Sequence, residues 1–109
     1  MNAPIRILFV CARNLWRSPT AEQAYRNDPR VEARSAGVSR SARRRISAND
    51  LEWADLTLVM ERKHVQRIRE DFSSLDLPKI ESLDIPDDYQ FGDQDLIELI
   101  RSATEPFLP

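Results

Sequence analysis

A cysteine, five intervening residues, an arginine and a serine follow one another in VCARNLWRSPTAE, so Cys11, Arg17 and Ser18 lie on one short segment. Each residue type has a chemistry that suits the others. A thiolate is a strong nucleophile. A guanidinium can hold two oxygens of a tetrahedral anion with its planar fork, which an ammonium cannot match. A serine hydroxyl beside the sulfur can donate to it, stabilising it both as nucleophile and as leaving group. If the residues between Val10 and Ser18 wrap into a cradle with their amides inward, and the next helix points its N-terminus at the same spot, the site favours an anion such as phosphate or sulfate. The same field favours the thiolate of Cys11. Ala12, Arg13, Asn14, Leu15, Trp16 and Ser18 are then the residues around the anion.

Such a loop needs a rigid strand before it and a helix after it. Residues 5–10 form an aliphatic, β-branched run of strand length, consistent with a central strand covered on both faces. Ser18 before Pro19 reads as a helix start, with the proline in the first turn and the serine as cap. Ala21, Ala24 and Tyr25 share the face of that helix, which Asn27, Asp28 and Pro29 stop. Residues 31–35 read as a second strand, with Gly37 marking the turn that follows. Ser47 with Asp50 three positions on is a capped helix start, stapled by Ile46 and Leu51. LTLVM (56–60) is another buried strand, and Val65, Ile68 and Phe72 form a helical stripe on 61–72. A weaker strand over 79–85 ends at Pro86, and a last helix over 93–103 carries Leu96, Ile97, Leu99 and Ile100 as its apolar face. Strands alternating with helices predict an α/β three-layer sandwich with a central four-stranded parallel sheet, whose ligands bind beyond the carboxyl ends of the strands. Cys11 sits at that edge.

At 109 residues the chain reads as one domain, 1–109, large enough for a modest core without staples. Its 41% apolar and 31% charged residues are those of a soluble globular protein. The single cysteine cannot form an internal disulfide and cannot build a zinc site with the lone His64, so a reducing cytoplasm is expected and no metal or other cofactor is implied. The longest apolar stretch, 7–12, is too short to cross a bilayer, and the residues before it are too few for a secretory leader, so no membrane partner is expected. The net charge of −2 conceals +6 over residues 1–50 and −8 over the remainder. The arginine-rich half contains the cysteine and could draw in anions. Arg40, Arg43, Arg44 and Arg45 read as a solvated charged loop, with an acidic partner as the alternative. His64 reads as a solvated residue on a polar helix, Trp53 as core, and Trp16 as a rim or packing residue.

VCARNLWRSPTAE resembles the phosphate-binding loop of the low-molecular-weight protein tyrosine phosphatases, whose pattern is V-C-x-G-N-x-C-R-S-P-x-A-E. RSAGVS (34–39) and EWADLTLVME (52–61) extend the likeness, and PDDYQFGDQDL (86–96) resembles the family's Asp-Pro-Tyr loop ahead of its last helix. It thus runs from residue 5 to about residue 100, and the short chain is most like a compact bacterial branch. The resemblance implies a hydrolase with Cys11 as nucleophile, Arg17 as phosphate clamp, Ser18 as thiolate partner, Asn14 in a left-handed backbone conformation, Asp87 as general acid and Tyr89 in the pocket wall. It implies phosphotyrosine protein or a small aryl phosphate as substrate. Three positions depart from the pattern. Arg13 replaces the loop glycine; Trp16 replaces a second cysteine and so removes the intraloop disulfide of many members; Asp88 replaces the proline after the acid, which leaves that role open among Asp84, Asp87 and Asp88.

In the implied reaction the Cys11 thiolate attacks phosphorus, the acid protonates the departing oxygen, and water then releases phosphate from a cysteinyl-phosphate. A phosphocarrier or a phosphate-binding, inactive module of the same architecture is the alternative. Arg17 and Asp87 weigh against a carrier, which should not speed its own hydrolysis. No nucleic-acid partner is expected, because the arginine loop has no aromatic stacking platform.

Overall fold

The computed structural model describes residues 3–77 and 79–109. In chain order the elements are β1 (Ile5–Cys11), α1 (Arg17–Ala24), β2 (Val31–Gly37), α2 (Ala48–Trp53), β3 (Leu56–Val59), α3 (Arg62–Asp71), β4 (Lys79–Ser82) and α4 (Gln94–Thr104), closed by a 3-10 turn at Glu105–Phe107. The four strands form one parallel sheet in the order β2-β1-β3-β4. This is the α/β architecture with a central four-stranded parallel sheet that the alternation of strands and helices predicts.

The period of two along β1 divides the core. Ile7, Phe9 and Cys11 face one layer with Ala21 and Tyr25 at α1 and Leu96 and Ile100 of α4. Leu8 and Val10 face the other, with Leu51 of α2 and Ile68 of α3. Both faces of β1 are therefore covered, which is why its sequence is apolar without alternation. The same parity puts the Cys11 side chain on the α1 and α4 side at the carboxyl end of the sheet.

Several local expectations change. Helix α1 begins at Arg17, and Ser18 does not cap it, because the serine lies inside the first turn and its hydroxyl bonds elsewhere. Strand β2 runs on to Gly37, which ends the strand in register with Cys11 and makes no turn. What Gly37 supplies is room: a Cβ there would lie 2.6 Å from the Ala12 carbonyl oxygen and 2.7 Å from the Ala42 Cβ. Strand β4 stops at Ser82, yet the amides of Leu83 and Ile85 still donate to the carbonyls of Val59 and Met60 at 2.8 Å. Leu99 is exposed, since the side of α4 turned fully inward is that of Leu96, Ile100 and Thr104. Ser47 and Asp50 form the capping box of α2. Among the described residues no helix is long and apolar enough to cross a membrane.

Replacing Gly37 with alanine should overpack this junction of strand and loop, lowering stability by about 1–3 kcal/mol in urea denaturation.

Candidate functional site

Between β1 and α1 the chain turns through residues 12–16, with Asn14 at φ 55°. Four consecutive carbonyls of this turn point away from its centre to residues 38–43. Val38 N–H donates to the Cys11 carbonyl at 3.0 Å, Ser39 N–H to Ala12 at 2.8 Å, Arg43 N–H to Arg13 at 3.0 Å, and Arg43 Nε to Asn14 at 3.1 Å. In a trans peptide the N–H opposes the preceding carbonyl. Once those carbonyls are engaged outside, the amides of Ala12, Arg13, Asn14 and Leu15 face inward, and none donates to a protein acceptor among the described residues. The N-terminus of α1 arrives at the same place. The loop is thus a nest of donors suited to an anion.

Beneath it lies a buried relay of defined polarity. Ser35 Oγ donates to Glu22 Oε1 at 2.5 Å, so its lone pairs receive the Asn14 Nδ2 at 3.0 Å. The second hydrogen of that amide goes to Ser18 Oγ at 2.9 Å. Ser18 has one hydrogen left and two acceptors in reach, the Cys11 Sγ at 3.0 Å and the Ala36 carbonyl at 3.3 Å. An ionised sulfur is the stronger acceptor, because charge-assisted hydrogen bonds are roughly twice as strong as neutral ones. The relay therefore leaves the Ser18 hydroxyl able to donate to the sulfur.

Arg17 is almost wholly buried, and its position is set from two sides. Its Nη1 donates to Glu61 Oε1 at 2.7 Å and to the Ile85 carbonyl at 2.8 Å. Burial raises the Glu61 carboxyl, but hydrogen bonds from Lys63 and Arg17 outweigh it and hold the group below its ordinary range. With Nη1 engaged behind the site, the other edge of the guanidinium is shared: Nε is paired with Asp87 Oδ1 at 3.5 Å, and Nη2 donates to no protein acceptor among the described residues. Cys11, Ala12, Arg13, Leu15, Trp16, Arg17 and Asp87 line a cavity of about 130 Å³. A larger cavity of about 830 Å³ lies between α3 and β4, but neither the thiol nor Arg17 reaches it. Cys11, Arg17 and Asp87 converge on the smaller one.

The three candidate acids separate in space. Asp87 lines the Cys11 cavity with its side chain 57% exposed. Asp84 sits at φ 55° in a turn where Ser82 Oγ donates to it, and lines the larger cavity. Asp88 is exposed and lines neither. Asn14 and Ser18 are buried below the loop, and Tyr89 lies outside the cavity wall because its ring packs on the core shared by α1 and α4. Leu15 and Trp16 are exposed at the rim, the latter by 43%.

Three readings are corrected. His64 is 2% exposed and not solvated: Nδ1 accepts the Glu61 N–H at 3.1 Å in the first turn of α3, so the ring folds over the helix end instead of outward. Burial, reinforced by the nearby Arg17, pushes its pKa down to about 4. Arg43 and Arg44 are not merely solvated charge either. Arg43 holds the loop, and Arg44 donates to the Ser35 carbonyl and to the buried Asp50. Trp53 is only partly buried, its ring 4.1 Å from the Arg34 guanidinium carbon. Glu22, Ser35 and Glu61 were not legible as site residues, although each ends or lies within a motif segment quoted above. Among the described residues no cluster of three or more His, Cys, Asp or Glu is arranged to hold a metal ion.

Neither protein-family models nor curated proteins match the chain. Solved structures do. A low-molecular-weight protein tyrosine phosphatase of Streptococcus pyogenes, SP-PTP, superposes with TM-score 0.75 at 18% identity over 94% of this chain and 90% of that one. The tyrosine phosphatase Wzb of Escherichia coli K30, in complex with phosphate, gives 0.69 at 22% over 94% of each. The YwlE arginine phosphatase of Geobacillus stearothermophilus gives 0.63 at 28% over 94% and 85%. The fold is that of the low-molecular-weight phosphatases.

The buried histidine makes stability depend on pH. Unfolded His64 binds its proton near pH 6.5 and folded His64 only near 4, so below pH 6.5 the unfolded state gains protons first. Its contribution is intact above about pH 6.5 and is lost as pH falls toward 4. Urea denaturation should show about 2 kcal/mol lost through this group between pH 7 and pH 5, a slope that His64→Gln flattens.

Proposed function

We propose that the protein is a phosphoric monoester hydrolase that works through a cysteinyl-phosphate. One observation carries this reading: the outward-bonded carbonyls of the loop aim its amides at the place where Cys11 Sγ, Arg17 and Asp87 also meet. Cys11 attacks phosphorus in line, forming the S–P bond as the bond to the leaving oxygen breaks. Asp87, in its protonated form, gives that oxygen its proton. The resulting carboxylate then takes a proton from water, whose oxygen displaces sulfur and frees phosphate. The loop amides and Arg17 stabilise the charge on the equatorial oxygens in both steps, and such preorganised electrostatics usually supply the largest part of catalysis. Ser18 stabilises the sulfur as it attacks and as it leaves.

Asp87 favours a hydrolase over a phosphocarrier, because a group able to activate water above the S–P bond shortens the life of the phosphorylated state. Leu15 and Trp16 at the rim offer apolar walls to an aryl leaving group, which supports phosphotyrosine protein or a small aryl phosphate as substrate. The similarity to an arginine phosphatase names the competing substrate, a phosphoguanidine. The chain has no second cysteine to pair with Cys11, so a reducing compartment such as the cytoplasm suits this chemistry.

Turnover of p-nitrophenyl phosphate and of phosphoarginine, measured side by side, tests the assignment. The aryl ester should be preferred. Cys11→Ser should abolish turnover, and Arg17→Ala should lower kcat by about 10²–10³. Asp87→Asn should lower kcat by about 10²–10⁴ with little change in KM; Asp84→Asn and Asp88→Asn should leave it near wild type. Undiminished activity in Cys11→Ser would refute the mechanism.

A further inference from the structure

A third cavity, of about 550 Å³, adjoins the phosphate loop and shares Ala12 with the Cys11 cavity. Arg40, Lys63 and Arg67 line it, against the single carboxylate of Glu70. Lys63 is paired with Glu61 at 3.1 Å and Arg67 with Asp71 at 2.9 Å, whereas Arg40 is exposed and has no partner among the described residues. Arg13, on the other side of Ala12, is likewise exposed, and its side chain has no partner among the described residues. His64 adds a second, independent observation. Its Nδ1 accepts from the Glu61 amide, so the neutral ring carries its proton on Nε2, and that buried N–H has no acceptor among the described residues. Leaving a buried donor unpaired is destabilising, a cost that a bound acceptor would remove.

Resting on the hydrolase reading above, we infer that this cavity is a substrate subsite for a carboxylate flanking the phosphorylated residue of an acidic peptide, held by Arg40 and the His64 Nε2–H. The phosphoryl group occupies the loop, and the peptide crosses Ala12 to lay its acidic side chain between the cations. An extended ligand with two negative groups fits two adjoining electropositive cavities better than a lone phosphate does. The arginine-rich first half of the chain serves here as recognition surface, and complementary charge gives specificity more than raw affinity.

The test compares three substrates: p-nitrophenyl phosphate, a phosphotyrosyl peptide flanked by glutamates, and the same peptide with glutamines. In the wild type kcat/KM should favour the glutamate peptide by about five-fold, the size expected for one partly exposed ion pair. Arg40→Glu should bring that ratio to about one or below while leaving p-nitrophenyl phosphate unchanged. In the Cys11→Ser protein, the nitrogen-edited proton resonance of the His64 ring should move on adding the glutamate peptide and stay put with inorganic phosphate. Equal rates on the two peptides, a ratio that survives Arg40→Glu, or a His64 signal that ignores the peptide or answers equally to inorganic phosphate would each overturn the subsite while the hydrolase stands. No turnover of p-nitrophenyl phosphate would sink the hydrolase reading, and the subsite with it.

Discussion

The loop over Cys11 keeps its shape because its carbonyls are claimed from outside. Residues 38–43 take the oxygens of Cys11, Ala12, Arg13 and Asn14, and peptide planarity then sends the matching amides inward. Those amides need no side chains, so the identity of the loop residues matters less than the hold upon their backbone. An arginine at position 13 is accommodated for that reason: its carbonyl is engaged by Arg43, and its side chain points to solvent. The holding segment is itself anchored. Gly37 exchanges backbone bonds with Arg44 and Ile46, and Arg44 reaches the Asp50 that caps α2. The anion nest is thus secured by a helix on the opposite face of the sheet.

A buried guanidinium is costly unless paired, and the way Arg17 is paired is part of its use. Glu61 and the Ile85 carbonyl take one nitrogen only. The charge is compensated from behind by Glu61 and in front by Asp87 at Nε, so the edge that faces the cavity is shared with Asp87. Neither partner is near Arg17 in the chain. Glu61 follows β3, and Ile85 lies where the chain continues the ladder past β4. The sheet brings its carboxyl ends together, and the arginine is aimed by that convergence. The helix that follows β3 supplies His64, whose ring is buried over that helix's own N-terminus, where Nδ1 accepts the Glu61 amide.

Polar groups under the loop are ordered by the same logic of satisfied donors. Glu22 is a carboxylate with only acceptor capacity, so it polarises the relay through Ser35 and Asn14 toward Ser18. Three segments, from α1, β2 and the loop, must be in register for that chain of hydrogen bonds to close. This ties the surroundings of the Cys11 sulfur to correct assembly of the sheet.

Much was legible in the chain itself. Period and punctuation define the strands and helices, because apolar runs such as 5–10 and 56–60 and caps such as Ser47 with Asp50 act over a few residues. The spacing of Cys11, Arg17 and Ser18 is legible for the same reason, since all three lie within one turn of chain. What folding alone decided involves partners distant in sequence. The separation of Asp87 from Asp84 and Asp88 depends on where residues 83–89 cross the sheet edge. The burial of His64 and the second task of Ser18 depend on neighbours from other elements, and so does the demand at Gly37 for space instead of a turn. Local pattern carries the energy of local structure. The direction in which a side chain or a carbonyl finds its partner is set only when separate segments close on one another.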